Sequence, residues 1–127
     1  MALKVATLNI NGLNVVNKQM SLVSVLRYHK IDVLMLQEHN VKNVSDLDYM
    51  SSDYHIILNS CANLKGGTAI CIRKCSNVKI LNQEMDAEGQ ITSVRVDVNG
   101  SIIPILNVYA PSGSSKKRGR EDFLGIR

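Results

Sequence analysis

The sequence predicts a mixed α/β fold built around one core. Of its 127 residues, 45% are apolar and 20% are charged, which is typical of a globular domain. The chain has four Tyr, one Phe and no Trp, so the core must consist of Val, Ile, Leu and Met, a composition that suits buried strands. One segment has helical apolar spacing and several have strand patterns. Their order indicates a strand, a helix, a strand and then a mostly antiparallel meander.

The first third of the chain predicts two strands that flank a helix. Residues 3–8 form a short apolar run that turn-forming residues close, as at the end of a strand. Apolar residues recur at helical spacing over residues 18–29, with Asn17 as the expected N-cap. Residues 32–37 contain four successive apolar side chains, which predicts a strand buried on both faces.

The rest of the chain predicts short strands. Residues 41–52 are polar and fit a short helix. Strand patterns follow at residues 54–58, 68–73, 78–81 and 91–98. Gly66 and Gly67, at the start of the strand at 68–73, allow a close approach of neighbouring backbone or a sharp turn. The Asn-Gly pair at 99–100 predicts a type I′ turn within a hairpin over residues 91–109. Pro104 has no N–H, which places its strand at a sheet edge or in a bulge.

Composition also limits the compartment and the partners. The amino terminus lacks the pattern of a secretory signal, and no apolar run approaches the ~20 residues that cross a bilayer, so we expect an intracellular protein without membrane association. Three cysteines favour free thiols over a disulfide framework, and a zinc site that uses Cys71 and Cys75 is the alternative. The net charge of +4 fits a polyanionic partner.

Much of the positive charge lies near the carboxyl end. Residues 112–127 are rich in Ser, Gly and basic side chains and predict an exposed basic loop and tail. Lys116, Lys117, Arg118 and Arg120 form a cluster that can contact nucleic acid or act as a nuclear address, whereas a solvated loop is the alternative. A nuclear location is therefore expected over a cytoplasmic one.

Polar side chains follow three of the predicted strands. Asn9 and Asn11 come after the first strand, Glu38 after the buried second strand, and Tyr109 after the last. Strand ends commonly present functional groups, and a carboxylate is the oxygen ligand that Mg²⁺ favours. By residue type alone, Asn9 also fits a turn former, Glu38 a solvated loop residue and Tyr109 a cap on the hairpin core. The histidines, His39 among them, lack a nearby pattern for nucleophilic catalysis and are interpreted as structural or solvated.

Four separated segments resemble one family. They are LNINGLN at residues 8–14, LQEH at 36–39, GGTAI at 66–70 and LNVYAP at 106–111. In this order and at these intervals they are similar to motifs of the apurinic-like endonuclease domain of non-LTR (LINE-type) retrotransposons, within the endonuclease/exonuclease/phosphatase superfamily. The resemblance covers nearly the whole chain. It implies the N-terminal half of a two-sheet, four-layer α/β sandwich of the deoxyribonuclease type.

The resemblance also implies a reaction and roles for particular residues. The reaction is hydrolysis of DNA phosphodiester bonds that depends on Mg²⁺ or Mn²⁺. Glu38 is the implied metal ligand and a catalytic residue. Asn9 orients the catalytic groups or binds the network linked to the metal, and Tyr109 hydrogen-bonds the scissile phosphate. Asn11 is an implied phosphate or DNA contact at a position where some members carry aspartate, and the basic cluster at 116–120 is a further DNA contact.

Later motifs of the family are not present in this chain: Gly-Asp-Phe-Asn, a further aspartate and Ser-Asp-His. We therefore expect residues 1–127 to be a single partial domain, a truncated retroelement-derived copy with little or no activity alone. We expect it to supply one sheet, whose exposed inner face would meet the missing half-domain or a self-association partner. The alternatives are a non-catalytic nucleic-acid or protein interaction module and a sibling phosphatase that acts on phospholipid or inositol phosphates.

Overall fold

A computed structural model describes residues 3–62 and 65–110 of the chain. The elements in order are β1 (Val5–Asn9), α1 (Val16–His29), β2 (Val33–Gln37), a 3₁₀ turn (Val44–Leu47), α2 (Asp48–Ser51), β3 (Tyr54–Asn59), β4 (Thr68–Arg73), β5 (Val78–Met85), β6 (Ile91–Val98) and β7 (Ser101–Val108). Within the described residues, no helix is both long and apolar enough to cross a membrane.

The strands form two sheets. Sheet A has four strands in the order β1-β2-β4-β3, and sheet B is the three-stranded meander β5-β6-β7. The pair β1 and β2 is parallel, and every other pair is antiparallel. Parallel neighbours need a crossover connection, which α1 supplies between β1 and β2. The mixed α/β fold that the sequence predicted is confirmed.

Each face of sheet A is covered by a different layer. The helices pack on one face, around buried residues that include Leu22, Leu26 and Leu34. Sheet B packs on the other face, where Val94 and Val96 meet apolar side chains of β2, β3 and β4. The expectation that the chain supplies one sheet with an exposed inner face is therefore wrong. The apolar run in β2 is buried on both faces, as predicted, and β5 to β7 provide the second cover.

Several element boundaries differ from the predictions, and β1 spans Val5–Asn9 instead of residues 3–8. Helix α1 begins at Val16, and its N-cap is Val15, which makes no side-chain capping bond. Asn17 is already inside the helix, so it cannot have the extended backbone that a cap requires. Strand β5 continues to Met85 instead of ending near residue 81, because a bulge at Leu81 interrupts its alternation without ending its pairing with β6.

The β6–β7 hairpin has the predicted turn. Asn99 and Gly100 have φ of 54° and 90°, as a type I′ turn requires. Val98 and Ser101 close this turn, and hydrogen-bonded pairs alternate from there, so Pro104 occupies a non-hydrogen-bonded position opposite β6. The nitrogen of Pro104 faces the free edge of β7 and costs no ladder bond. Its predicted edge position is confirmed within the described residues.

The sandwich is open on one side. Strand β7 lies across β2 and β4, whereas β6 lies across β4 and β3. No described strand of sheet B therefore lies over β1, and the free edges of β1 and β7 are on the same side. Val5 on β1 remains 48% exposed there. Ile102 and Leu106 on β7 are 56% and 59% exposed, but they alternate with the inward-facing Ile103 and Ile105 and so lie on the outer face of sheet B.

An ion pair links β2 and β4 at the end of sheet A where β2 begins and β4 ends. Asp32, just before β2, accepts a hydrogen bond from the Lys4 backbone N–H (3.0 Å) and pairs with Arg73 at the end of β4. Burial raises the pKa of Asp32, but the bonds from Lys4 and Arg73 outweigh this effect, and the net result is a pKa below the usual 3.8.

We predict that Asp32→Asn flattens the acid dependence of stability. A carboxyl group with a lowered pKa in the folded state stabilises the fold above its unfolded pKa, and this contribution is lost as the pH falls through the folded value. Urea unfolding at about pH 7 and about pH 3 should therefore differ less for the variant than for the wild type, by no more than about 1 kcal/mol because the pair is partly solvated. Asp46→Asn, an exposed change, is the control. Equal pH dependence of wild type and Asp32→Asn would contradict the prediction.

Candidate active site

The loops after β1 and β2 and the start of β4 are joined by backbone hydrogen bonds. Gly12 N–H donates to the Glu38 carbonyl (2.7 Å), and Leu13 N–H donates to the His39 carbonyl (2.9 Å). On the other side, Glu38 N–H donates to the Gly67 carbonyl (2.9 Å). The loop that carries Glu38 is therefore held between two neighbouring segments.

Glu38 and Tyr109 are brought together from distant parts of the chain. The Tyr109 O–H donates to Glu38 Oε1 at 2.6 Å. Burial and this hydrogen bond raise the pKa of Tyr109 to about 12, so its phenol is a protonated donor at neutral pH. Among the described residues, no donor is bonded to the other carboxylate oxygen, Glu38 Oε2. One oxygen of Glu38 is therefore oriented by the protein and the other is available to a ligand.

The backbone at Glu38 is in an unfavourable conformation. Its φ is 56°, and Asn40, two residues later, has φ of 57°. Left-handed backbone at a non-glycine residue costs roughly 1–3 kcal/mol and persists only where the surroundings impose it. Asn tolerates this region better than Glu does. Residues with a strained backbone are often found at functional sites. Here the strained residue, Glu38, is also the candidate metal ligand.

His39, between these two residues, has a fully buried side chain. Its Nδ1 accepts a hydrogen bond from Val41 N–H (2.9 Å), and its Nε2–H donates to the carbonyls of Asn59 (2.9 Å) and Thr68 (3.2 Å). Burial lowers the pKa of His39 below its usual 6.5, although the two carbonyls act in the opposite direction. The ring is therefore neutral, with its proton on Nε2.

Gly67 makes room for this ring. It has φ of 92°, and a Cβ there would lie 2.5 Å from Cε1 and Nε2 of His39 and 2.8 Å from the Asn59 carbonyl oxygen. Such distances are far inside van der Waals contact. The predicted close approach of neighbouring backbone is found at the Asn59 carbonyl, and the nearest group, the ring of His39, was not predicted.

We predict that Gly67→Ala is much more destabilising than Gly100→Ala. Both glycines have positive φ, but a Cβ at Gly100 would meet no atom within 4 Å. Gly100→Ala should lower the unfolding free energy by about 1–2 kcal/mol through backbone strain alone. Gly67→Ala adds the clash with His39, for a total of about 3 kcal/mol or more. Urea unfolding of the two variants measures the difference, and equal losses would exclude the clash.

Four buried polar side chains, here called the polar layer, lie between the sheets at this end of the sandwich: Asn59, Thr68, Thr92 and Asn107. The hydroxyls of Thr68 on β4 and Thr92 on β6 are 2.7 Å apart. Asn59 Nδ2 at the end of β3 donates to the Ile91 carbonyl at the start of β6 (2.7 Å). The polar layer therefore links sheet A to sheet B by side-chain hydrogen bonds.

Asn107 makes the largest set of bonds in the polar layer. Its Nδ2 donates to the carbonyls of Leu36 on β2 and Ala69 on β4, both at 2.8 Å. Its Oδ1 accepts from Gln37 Nε2 at 2.7 Å. Because Tyr109 follows Asn107 by two residues, directly after β7, these bonds fix where the phenol reaches sheet A.

We predict that Asn107→Ala destabilises the fold by about 2–4 kcal/mol, since it leaves several buried polar groups without partners. Asn82→Ala, at an exposed position of β5, is the control and should change stability by no more than about 0.5 kcal/mol. Thermal or urea unfolding measures both. A loss at Asn107 no larger than that at Asn82 would mean that the polar layer contributes little to stability.

The remaining predicted site residues are less constrained. Asn9 is exposed at the end of β1 and pairs in register with Gln37, which places it at the same end of sheet A as Glu38. Asn11 is exposed, with φ of 52°, and its carbonyl accepts from Lys18 Nζ (3.1 Å). Lys116, Lys117, Arg118 and Arg120 lie outside the described residues. The structure thus brings Asn9, Glu38 and Tyr109 to one end of the sandwich.

Glu38 is the one carboxylate among the predicted site residues. Over residues 3–62 and 65–110, no group of three or more His, Cys, Asp or Glu side chains could hold a metal ion, and the three cysteines are free thiols, as predicted. Mg²⁺ commonly binds through one or two carboxylates and keeps several waters. The free oxygen of Glu38 fits one such ligand, and the amide oxygen of Asn9 is a second candidate. The described residues therefore fit part of a magnesium site.

No protein-family model matches the chain. Solved structures establish its fold, which is of the endonuclease/exonuclease/phosphatase type. Humanized TDP2 from D. rerio has a TM-score of 0.78 at 23% identity, over 97% of this chain and 53% of that one. D. rerio TDP2 complexed with a single-strand DNA product has a TM-score of 0.74 at 21% identity, over 97% and 52%. An AP endonuclease from Archaeoglobus fulgidus has a TM-score of 0.65 at 22% identity, over 98% and 49%.

A curated relative is matched by this chain over a similar share of its length. An exodeoxyribonuclease from Bacillus subtilis (strain 168) is 27% identical over 125 residues, which corresponds to 94% of this chain and 46% of the relative. The chain thus spans about half the length of the proteins it matches. The same fold also occurs in a mannosyl-6-phosphatase from Bacteroides thetaiotaomicron, with a TM-score of 0.73 at 16% identity over 98% of this chain and 57% of that one. The fold alone therefore does not select a substrate.

Proposed function

We propose that this chain is the N-terminal half of a divalent-metal-dependent phosphodiesterase that acts on DNA and derives from a LINE-type retrotransposon. The observation that carries the proposal is the contact between Tyr109 and the strained Glu38, which leaves the other carboxylate oxygen without a donor among residues 3–62 and 65–110. The four motif segments support the retrotransposon origin. Similarity to an exodeoxyribonuclease and to a TDP2 complexed with single-strand DNA product supports DNA as the substrate.

Each residue has a distinct part in this proposal. Glu38 holds Mg²⁺ or Mn²⁺ through Oε2, and the Asn9 amide orients the groups around it. A bound cation would neutralise charge on the phosphate. Tyr109 keeps its proton at neutral pH, and its single O–H donates to Glu38 Oε1 when no DNA is bound. When DNA binds, this O–H turns to a phosphate oxygen and stabilises the charge that develops there. Asn11 and the basic residues Lys116, Lys117, Arg118 and Arg120 contact the DNA backbone.

The later motifs to which the family resemblance assigns the general base do not occur in this sequence. A positioned acid or base contributes typically 10²–10⁴-fold to rate, so the chain alone has little or no turnover. The open side of the sandwich supports an incomplete domain, since Val5 is exposed there beside the free edges of β1 and β7. We propose that the missing half-domain, or a self-association partner, covers this side and completes the site.

Metal binding tests the proposal directly. Mn²⁺ bound to the purified chain, measured by electron paramagnetic resonance, should be lost in Glu38→Gln and retained in Glu84→Gln, an exposed glutamate on β5. Supercoiled plasmid with Mg²⁺ should be nicked no faster by the chain than in an EDTA control. Mn²⁺ binding that survives Glu38→Gln would exclude Glu38 as the ligand, and so would Mg²⁺-dependent nicking that survives it.

The second candidate function is a non-catalytic nucleic-acid module. Its supporting observations are the net charge of +4 and the basic cluster at residues 116–120. Under this function, DNA affinity falls steeply with salt, is unchanged in Glu38→Gln, and is lost when the cluster is replaced by alanine, because phosphate contacts release counterions without a metal. The same cluster supports a nuclear location. A sibling phosphatase acting on phospholipid or inositol phosphates predicts phosphate release from those substrates and no DNA binding.

A further inference from the structure

We infer that His39 is a positioning residue that holds Glu38 in the orientation required by a cation and by Tyr109. The inference rests on the proposed function of Glu38. It assigns no chemistry to the imidazole, which is buried and faces away from solvent. The role of His39 is to impose the strained backbone conformation at Glu38, the residue that carries the carboxylate.

The ring of His39 connects the Glu38 loop to two strands of sheet A. Its Nε2–H donates to the carbonyls of Asn59, at the end of β3, and Thr68, at the start of β4. Its Nδ1 accepts from Val41 N–H, so both nitrogens of the neutral ring are bonded. The His39 side chain thus fixes the position of the loop immediately after Glu38.

His39 lies between two residues whose backbone is in the left-handed region, Glu38 and Asn40. An L-residue such as glutamate leaves this region when it is unconstrained. Its return to an ordinary backbone conformation would redirect the Cα–Cβ bond, and with it the carboxylate that Tyr109 contacts at 2.6 Å. The position of the ring is specific, because Gly67 has no Cβ where one would overlap it.

Substitution by glutamine or asparagine can distinguish the hydrogen bonds made by Nε2 of His39 from the one made by Nδ1. The nitrogen of glutamine can take the place of Nε2, whereas the oxygen of asparagine can take the place of Nδ1. If the bond to β3 and β4 carries the positioning, His39→Gln retains it and His39→Asn does not. His39→Phe keeps a buried ring but loses both bonds.

The experiment measures Mn²⁺ affinity of the purified chain by electron paramagnetic resonance. We expect His39→Phe and His39→Asn to weaken it by about tenfold or more, as is typical when the partner of a metal-ligand group is lost. His39→Gln should stay within about threefold of the wild type. Tyr54→Phe is the matched control, because it removes a buried bond to the Ile31 carbonyl (2.7 Å) at the opposite end of sheet A. It should lower stability and leave Mn²⁺ affinity unchanged.

A second readout does not depend on metal. The ring Cζ resonance of Tyr109 in a ¹³C-tyrosine-labelled chain reports its hydrogen bond to Glu38, and Glu38→Gln defines the shift expected when that bond changes. His39→Phe and His39→Asn should move the resonance in the same direction, and His39→Gln should not. If the wild type binds no Mn²⁺, the proposed function fails, but this resonance still tests His39. A Tyr109 resonance and an affinity that are unchanged in folded His39→Asn would overturn the inference, and so would equal effects of His39→Asn and Tyr54→Phe.

Discussion

The alignment of the two sheets depends on the polar layer between them. Apolar side chains pack in many relative positions, but a buried amide or hydroxyl without a partner is costly. Asn107 finds its partners only when β7 ends over the point where β2 and β4 pair, because it bonds to one carbonyl on each strand. The hydrogen bonds of the polar layer therefore select one sheet arrangement, and the apolar core supplies most of the stability. In that arrangement Tyr109 meets Glu38.

The same hydrogen-bonded region explains how strain at Glu38 is tolerated. The carbonyls of Asn59 and Thr68 accept from His39, while the side chains of these two residues bond across to sheet B. The Glu38 loop is thus bonded to two strands whose own positions are fixed by the second sheet. An unfavourable φ at one residue is small compared with the several hydrogen bonds that would break if the loop relaxed.

Local patterns in the sequence predicted the helices and strands. Hydrogen bonds between residues far apart in the chain determine how the two sheets pack and which site residues meet. The apolar run in β2, the Asn-Gly turn and the edge position of Pro104 each follow from neighbouring residues, and the structure contains all three. The packing of sheet B on sheet A was not predicted, because Asn107 and its partner Leu36 are 71 residues apart and no local pattern connects them. Glu38 and Tyr109 were selected by position at strand ends, whereas their contact, and the burial of His39, depend on three-dimensional packing.

The four motif segments are widely separated in the chain but lie at one end of the sandwich. They correspond to the ends of β1, β2 and β7 and the start of β4, which the strand directions bring to the same edge. Helices cover one face of sheet A and sheet B covers the other, so the strand that precedes Glu38 is covered on both faces. The side beyond β1 and β7 remains open, and Asn9 and Tyr109 lie on those two strands or directly after them. Under the proposed function, the groups that complete the site enter from this side, where they would extend sheet pairing and reach the free oxygen of Glu38 at the same time.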